Sequence, residues 1–308
     1  MILSICPNPS IDCTIELDNL NVGMLNRINN KVETYSGKAL NVAIGVARLK
    51  KSCIATGFMF EDHKSMFEHV LKEEGVDYDF VYSEGASRTN YKIIDRRSML
   101  TEINDKGAVV SLKKQYELID KIKELSKNCS IAVMSGSLPQ GVSKEFYGQA
   151  LSVIPKDVKV IVDAEKDNVL SAISSRQIFL IKPNLKELET LANKSLTSKQ
   201  EIVDACIRYI DLGVKYVMVS LGGEGAILTD GKRSLFCKSA NVAVNSTVGA
   251  GDSMVAAICS ALEDGANQEE MLLRAVAAGT AAVTTSGTNL FYKDKYDEIY
   301  SKIFVEEI

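Results

Sequence analysis

Short apolar runs alternate with segments of helical periodicity along most of the chain, and this alternation restricts the fold more than any other feature. Apolar runs of strand length occur at residues 1–6, 54–58, 131–135, 158–163, 179–182 and 215–220. Segments of helical periodicity lie between them, at residues 65–74, 112–125 and 144–151. Repeated βαβ units place helices on both faces of a parallel sheet. The sequence therefore predicts an α/β fold with a doubly wound, mostly parallel sheet flanked by helices.

Two segments depart from this alternation. Residues 12–36 and 88–110 contain extended runs in which polar and apolar residues alternate, as they do in strands with one exposed face. We expect these segments to form a small β-sheet lid within a single domain that spans residues 1–308. A chain of 308 residues, of which 46% are hydrophobic, is long enough to bury one large core.

Charged and amide side chains are concentrated in and beside the predicted lid. Arg88, Asn90 and Lys92 share one face of a strand, and with Asp12 and Lys38 they would line a basic cleft. A strand face in contact with solvent is the alternative. Lys38 also stands at the start of a predicted helix, where the helix dipole disfavours a cation. A bound anion would explain that position.

Charge and cysteine usage argue against several classes of function. The net charge of −4 and the pI of about 5.5 disfavour a nucleic-acid or anionic-membrane surface, so a small-molecule partner is expected. The seven cysteines include no C-x-x-C pair, and we expect them to be reduced core residues. With two histidines, a zinc site or a histidine-based triad is disfavoured. The chain opens on an apolar strand without a basic leader, which predicts a cytoplasmic protein.

A glycine-rich turn precedes a predicted helix in the segment NSTVGAGDSMVA, residues 245–256. Gly249 and Gly251 flank Ala250, so several backbone N–H groups can point toward one anion. Asp252 follows in the first helical turn, beside the helix end that suits a phosphoryl group. The alternative is an ordinary turn in which Asp252 caps the helix. Walker A and dinucleotide fingerprints are absent, because the positions they require hold Val32, Ala39 and Met254.

Polar residues follow several predicted strands. In doubly wound sheets the ligand binds beyond the carboxyl ends of the strands. In this chain those ends carry polar residues and a second glycine turn, namely Gly136, Ser137, Asp163, Asn184, Glu187 and residues 221–225.

Six motifs in order resemble the ribokinase-like sugar kinases of the PfkB family: NPSID, SGKALN, SGSLP, KPNLKELE, SLGGEGA and STVGAGDSM. The resemblance implies a ribokinase-like fold with a β lid and transfer of the γ-phosphoryl group of MgATP to a sugar alcohol. It implies that Asp252 is the catalytic base, that Gly249, Ala250 and Gly251 form the anion hole, and that Asn184 with Glu187 organises Mg²⁺. The implied nucleotide-binding residues are Lys182, Asn184, Ser220, Gly222, Gly225, Thr247 and Gly279.

Within the family the chain is similar to the branch of 1-phosphofructokinases and tagatose-6-phosphate kinases, through NP-x-x-D, R-x-N-x-K and TEIN. This implies a ketohexose monophosphate as acceptor, fructose 1-phosphate being favoured over tagatose 6-phosphate. The implied acceptor-binding residues are Asp12, Gly37, Lys38, Asn41, Arg88, Asn90, Lys92 and Glu102. Ser36 and Ala39 depart from the usual G-G-K-G pattern of the branch.

Several points stay open on the sequence alone. A kinase of an unphosphorylated sugar or nucleoside and a non-catalytic sugar-phosphate sensor are the competing functions. Activation by a monovalent cation and a homodimer formed through the lid are both open. An ordinary aspartate pKa near 3.9 would leave Asp252 ionised at pH 7, as a base requires.

Overall fold

The computed structural model describes residues 1–97, 99–285 and 289–308. Within them the strands are β1 (Ile2–Cys6), β2 (Ser10–Glu16), β3 (Asn30–Ser36), β4 (Cys53–Phe60), β5 (Asp77–Tyr78), β6 (Val81–Ser83), β7 (Arg88–Ile94), β8 (Leu100–Asn104), β9 (Ile131–Ser135), β10 (Lys159–Asp163), β11 (Leu180–Ile181), β12 (Tyr216–Ser220), β13 (Ala226–Thr229), β14 (Ser234–Cys237) and β15 (Val305–Glu307). The helices are α1 (Lys38–Arg48), α2 (Lys64–Glu73), α3 (Leu112–Leu125), α4 (Phe146–Ser152), α5 (Lys166–Ser175), α6 (Leu185–Ala192), α7 (Lys199–Asp211), α8 (Ala250–Glu263), α9 (Gln268–Ala282) and α10 (Lys293–Tyr300).

The larger sheet has the order β15-β14-β13-β12-β11-β10-β9-β1-β4-β5, and β6 pairs with β4. Its strands from β12 to β5 run parallel, whereas β13, β14 and β15 are antiparallel additions at one edge. Central strands such as β1 and β9 are buried along their whole length because helices cover both faces. The prediction of a mostly parallel α/β sheet is confirmed.

Each face of this sheet has its own hydrophobic core. Helices α1, α2, α8 and α9 pack on one face, and helices α3 to α7 pack on the other. Helix α8 packs against both α1 and α9, which brings the first turns of α1 and α8 side by side. All seven cysteines are free and buried, as expected.

The smaller sheet has four strands in the order β3-β2-β7-β8. Strands β7 and β8 form an antiparallel hairpin, and β2 pairs in parallel with β7 so that Asp12 lies opposite Asn90. The sheet lies within the segments predicted for the lid, apart from the first two residues of β2. Residues 105–110 contain no strand, although the predicted lid extended over them.

The C-terminal segment differs from its prediction. The sequence predicts a short packing helix over residues 296–304, but α10 ends at Tyr300 and β15 then pairs with β14. A three-residue edge strand has too few positions to show a period of two, so nothing local indicates it. Among the described residues, every helix is too short or too polar to span a bilayer.

Candidate active site

A cleft of about 930 Å³ lies between the smaller sheet and the carboxyl ends of the parallel strands. All residues that the family resemblance implies for catalysis, acceptor, nucleotide and Mg²⁺ line it, including the glycine turn before α8, the polar face of β7 and the turn after β12. Gly136 and Ser137, at the end of β9, are not among its lining residues. Parallel strands end at the same edge, so residues far apart in the chain meet there. Their proximity is now established, whereas their individual roles remain predictions.

Asp252 lies near the middle of the cleft, in the first turn of α8. Gly249 precedes that helix with φ of +80°, a left-handed conformation that favours glycine. The N-cap position of α8 is held by Gly249, so Asp252 is not the capping residue. Its Oδ2 instead accepts a hydrogen bond of 2.8 Å from Asn41 Nδ2, at the start of α1. The alternative of an ordinary capping aspartate is therefore wrong, because the carboxylate faces the cleft and a neighbouring helix.

A second buried carboxylate, Asp163, stands at the end of β10 between two lysines. Its Oδ1 lies 3.6 Å from Lys38 Nζ and its Oδ2 lies 3.6 Å from Lys182 Nζ. Asp163 is 3% exposed and Lys182 5%, whereas Lys38 is partly open to the cleft. Lys182 also lies directly beneath the glycine turn, since a Cβ at Gly251 would come within 3.1 Å of Nζ. Asp163 thus supplies an anion beside Lys38, where the sequence suggested a bound one.

The smaller sheet forms one end of the cleft. Asp12 Oδ1 accepts a hydrogen bond of 3.0 Å from Asn90 Nδ2, and Lys92 Nζ lies 3.4 Å from Asp12 Oδ2. The charge of Lys92 is therefore compensated inside the protein. Arg88 donates from Nη2 to the Asn8 carbonyl at 3.4 Å, and no carboxylate among the described residues pairs with it. Arg88 Nε and Asn90 Oδ1 are buried and have no hydrogen-bond partner among the described residues.

The opposite end is built from glycine turns and small side chains. The turn Gly222–Glu224 is a short 3₁₀ helix, and Ser239 Oγ donates a hydrogen bond to the Gly223 carbonyl. Ser220, Thr247 and Gly279 also line this end. An apolar wall continues from them, formed by Val242, Val244, Val276 and Val283. Apolar contacts and backbone polar groups together suit a flat heteroaromatic ring with attached phosphates.

Comparison with known proteins identifies the family. A model of the pfkB family of carbohydrate kinases matches residues 7–295. The chain belongs to the PfkB family. It is therefore a carbohydrate kinase.

Relatives and solved structures agree with this assignment. Tagatose-6-phosphate kinase of Staphylococcus epidermidis is 31% identical over 100% of both chains. The 1-phosphofructokinase of Borreliella burgdorferi is 33% identical over 100% of this chain and 99% of its own. Phosphofructokinase-2 of Escherichia coli, in complex with potassium, superposes with a TM-score of 0.90 at 30% identity over 98% of both chains. Arabidopsis thaliana ribokinase, with ribose and ATP, has a TM-score of 0.82 at 23% identity over 97% and 98%, so the fold is ribokinase-like.

The electrostatics of this PfkB kinase differ from the sequence-based expectation at Asp252. Burial raises the pKa of Asp252 to about 6, and the charge of Asp163 also raises it, while Lys38 and the Asn41 hydrogen bond oppose the rise. The predicted ordinary pKa is wrong. The carboxylate is still mostly ionised at pH 7, and it is a stronger base than an exposed aspartate.

The two lysines act in the same direction on Asp163. Burial favours the neutral form of Asp163, but Lys182 and Lys38 outweigh it and hold its pKa below the ordinary value. Asp163 in turn raises the pKa of Lys38. The position of Asp163 at a strand end was visible in the sequence, yet nothing local showed that two lysines would converge on it. The sequence does not indicate the apolar wall, because the wall joins Val242 and Val244, which lie outside any helix or strand, with two valines in and directly after α9.

Asn184 and Glu187 form a reciprocal capping box at the start of α6. Asn184 Oδ1 accepts from Glu187 N, and Glu187 Oε2 accepts from Asn184 N, both at 2.8 Å. This leaves the second carboxylate oxygen of Glu187 for a ligand in the cleft. No cluster of three or more His, Cys, Asp or Glu side chains occurs in the described ranges. The residues therefore fit a hydrated Mg²⁺ that arrives with nucleotide phosphates, and do not fit an ion held by protein ligands alone.

Proposed function

We propose that this PfkB kinase transfers the γ-phosphoryl group of ATP to a free hydroxyl of a ketohexose monophosphate and releases the 1,6-bisphosphate and ADP. The arrangement that carries the proposal is the position of Asp252. Its carboxylate lies beside the glycine turn, between an end of the cleft with Arg88, which pairs with no carboxylate among the described residues, and an end with the apolar wall. An acceptor and a nucleotide can thus approach the same base from opposite sides.

Asp252 would act on the acceptor hydroxyl. As its oxygen bonds to the γ-phosphorus, the bond from phosphorus to the ADP oxygen breaks and the hydroxyl proton passes to Asp252 Oδ1. Oδ2 is held by Asn41. A free alcohol is far less acidic than a carboxylic acid, so the proton is transferred late. The N–H groups of residues 249–252 and Lys182 would stabilise the charge that develops on the phosphoryl oxygens.

Mg²⁺, when bound with ATP, supplies positive charge to the phosphate oxygens. Asn184 and Glu187 are the residues that would hold its water shell, with no direct bond required. Ser220, Gly222, Gly225, Thr247 and Gly279 would contact the nucleotide. A monovalent cation is a further proposed activator, supported by the potassium complex of the similar phosphofructokinase-2. Comparing rates in KCl and NaCl at equal ionic strength tests this point.

Fructose 1-phosphate is the favoured acceptor, and tagatose 6-phosphate is the second candidate. Relatives named for each substrate match the chain at similar identity. A coupled assay of ADP release with fructose 1-phosphate, tagatose 6-phosphate, fructose 6-phosphate and fructose ranks them, with Asp252→Asn as the blank. The proposal expects a phosphorylated ketose to have the highest kcat/KM. It fails if neutral fructose is preferred or if no acceptor releases ADP.

Arg88 is the residue we expect to bind the acceptor phosphate, since its charge has no acidic partner in the described chain. Arg88→Ala should lower kcat/KM for the phosphorylated ketose. The loss should correspond to about 2–5 kcal/mol of transition-state binding, the range for a buried charge-assisted contact. Activity on fructose should hardly change. Arg97→Ala is the matched control, because Arg97 pairs with Asp95 at the hairpin turn. An equal loss on both acceptors would show that Arg88 only supports the smaller sheet.

The smaller sheet is proposed to act as a lid and to form a homodimer. The loop between β2 and β3 exposes apolar side chains, with Val22 at 93%, Leu25 at 77% and Met24 at 73%. Covering such side chains would stabilise an interface. Sedimentation velocity of the wild type and of Leu25→Asp tests it, and a monomeric wild type contradicts it.

Because the reaction consumes ATP, we place it in the cytoplasm.

A further inference from the structure

Three buried polar side chains form a hydrogen-bonded relay that ends at Asp252. Ser36 Oγ lies 3.2 Å from Asn41 Oδ1, and Asn41 Nδ2 lies 2.8 Å from Asp252 Oδ2. Ser36 is 3% exposed, and the other two are each 7% exposed. The three residues come from the end of β3, the first turn of α1 and the first turn of α8. The relay therefore joins the smaller sheet to the start of α8.

The direction of each hydrogen bond follows from the chemistry of the groups. An ionised carboxylate only accepts, so Asn41 must present its NH₂ group to Asp252. The carbonyl oxygen of Asn41 then faces Ser36, and the Ser36 hydroxyl must donate to it. Without that hydroxyl, Asn41 Oδ1 would lose its donor in a buried place, and the amide could rotate to find another partner.

We propose that Ser36 is a positioning residue for the base: its hydroxyl holds the Asn41 amide so that Asp252 Oδ2 is occupied and Oδ1 remains for the acceptor proton. The proposal rests on the proposed function for its catalytic meaning. Oδ1 of Asp252 accepts no hydrogen bond within the described residues. Ser36 therefore acts through Asn41, without touching the reacting atoms.

The relay also influences the charge of the base. Burial raises the pKa of Asp252, and the hydrogen bond from Asn41 lowers it. If the amide is free to rotate, that bond weakens and the pKa rises. The acid limb of the activity profile should then move to higher pH. Loss of a contact between Ser36 and the sugar would change KM without moving this limb.

The first test compares pH profiles of kcat/KM for the wild type, Ser36→Ala, Ser36→Thr and Ser4→Ala. Ser4→Ala is the control, because Ser4 Oγ is also buried and bonds to the Ala39 carbonyl of α1 without reaching Asp252. Ser36→Ala should lower kcat about three- to tenfold, the effect of one neutral hydrogen bond, and move the acid limb up by about half a pH unit. Ser36→Thr should restore both. If the acid limb of the kcat/KM profile does not move in Ser36→Ala, the proposal is overturned.

The second test separates the relay from a direct role in substrate binding. In an Asn41→Ala background, Ser36→Ala should cause no further change, because the link to Asp252 is already absent. Additive losses would overturn the proposal. A titration of ¹³Cγ-labelled aspartate, with the Asp252 signal assigned from Asp252→Asn, measures the same pKa shift without turnover. If no acceptor is phosphorylated but this shift occurs, the proposed function fails while the relay stands; an unchanged pKa overturns the relay alone.

Discussion

Asp252 and Asp163 are both buried carboxylates on one cleft, and the structure gives them opposite surroundings. At the end of β10, Asp163 lies between two ammonium groups, and its pKa is held below the ordinary value. At the start of α8, Asp252 has an amide as its hydrogen-bond partner, and burial raises its pKa to about 6. These surroundings suit Asp163 to be a fixed anion and Asp252 to be the base that we propose.

The largest expected effect comes from removing the base. Asp252→Asn keeps the shape of the side chain and the bond from Asn41, but it can no longer accept the hydroxyl proton. We expect kcat to fall by at least about 10²-fold while ATP and sugar binding are retained. Steady-state kinetics together with calorimetric binding of both ligands provide the measurement. A variant with near-normal kcat would show that Asp252 is not the base.

The equivalent change at Asp163 should lower the free energy of unfolding. Asp163→Asn leaves Lys182 buried without a counter-charge, which destabilises a folded protein by about 3–5 kcal/mol. Urea unfolding at pH 7 measures the free energy of unfolding. Asp95→Asn is the matched control and should lose less, because Asp95 is another buried aspartate but pairs with an arginine at the surface. If Asp163→Asn is as stable as the wild type, the two lysines do not depend on this carboxylate.

Asp252→Asn should change stability in the opposite direction. Because the folded-state pKa of Asp252 is raised, its contribution to stability is full below the unfolded pKa near 4 and is lost as the pH rises through about 6. The ionised group therefore destabilises the fold at pH 8, by about 1–3 kcal/mol. Asp252→Asn should exceed the wild type in Tm at pH 8, and the difference should shrink toward pH 4. A Tm difference that does not vary with pH would contradict the raised pKa.

Glu187 provides a third carboxylate for the comparison, bound to a backbone N–H group. Glu187→Gln preserves an acceptor for Asn184 N–H, so the capping box remains. Only the charge that would face Mg²⁺ is lost, and the Mg²⁺ concentration for half-maximal rate should rise about tenfold. Glu189→Gln on the same helix is the control. Identical magnesium titrations in the wild type and Glu187→Gln would remove Glu187 from the metal site.

The smallest effect links the two aspartates directly. The charge of Asp163 contributes to the raised pKa of Asp252, so Asp163→Asn should lower that pKa. The acid limb of kcat/KM, which we expect near pH 6 in the wild type, should move to lower pH, the reverse of the change expected for Ser36→Ala. The profile is measured at a temperature where Asp163→Asn is folded. A shift to higher pH would show that the lysines rearrange once Asp163 is neutral.

Much of the fold and of the site could be predicted from local pattern. The helix 112–125 and the strand 131–135 occur at their predicted bounds, because each has a regular period and clear ends. The glycine turn identified Asp252, and strand ends pointed to Asn184 and Glu187. The pairing of Lys92 with Asp12 was not foreseen, since register between strands depends on the partner strand as well as the residues themselves.

The sequence alone determined the alternating elements, the glycine turn and the set of residues at one sheet edge, because these depend on neighbours within a few positions. Tertiary structure decided which polar groups are partners. Asn41 and Asp252 are separated by 211 positions, and Lys38 meets Asp163 across the sheet edge. The pKa of a buried carboxylate depends on such partners and on the loss of water around it. For that reason only the folded chain distinguishes the surroundings of Asp252, the proposed base, from those of Asp163.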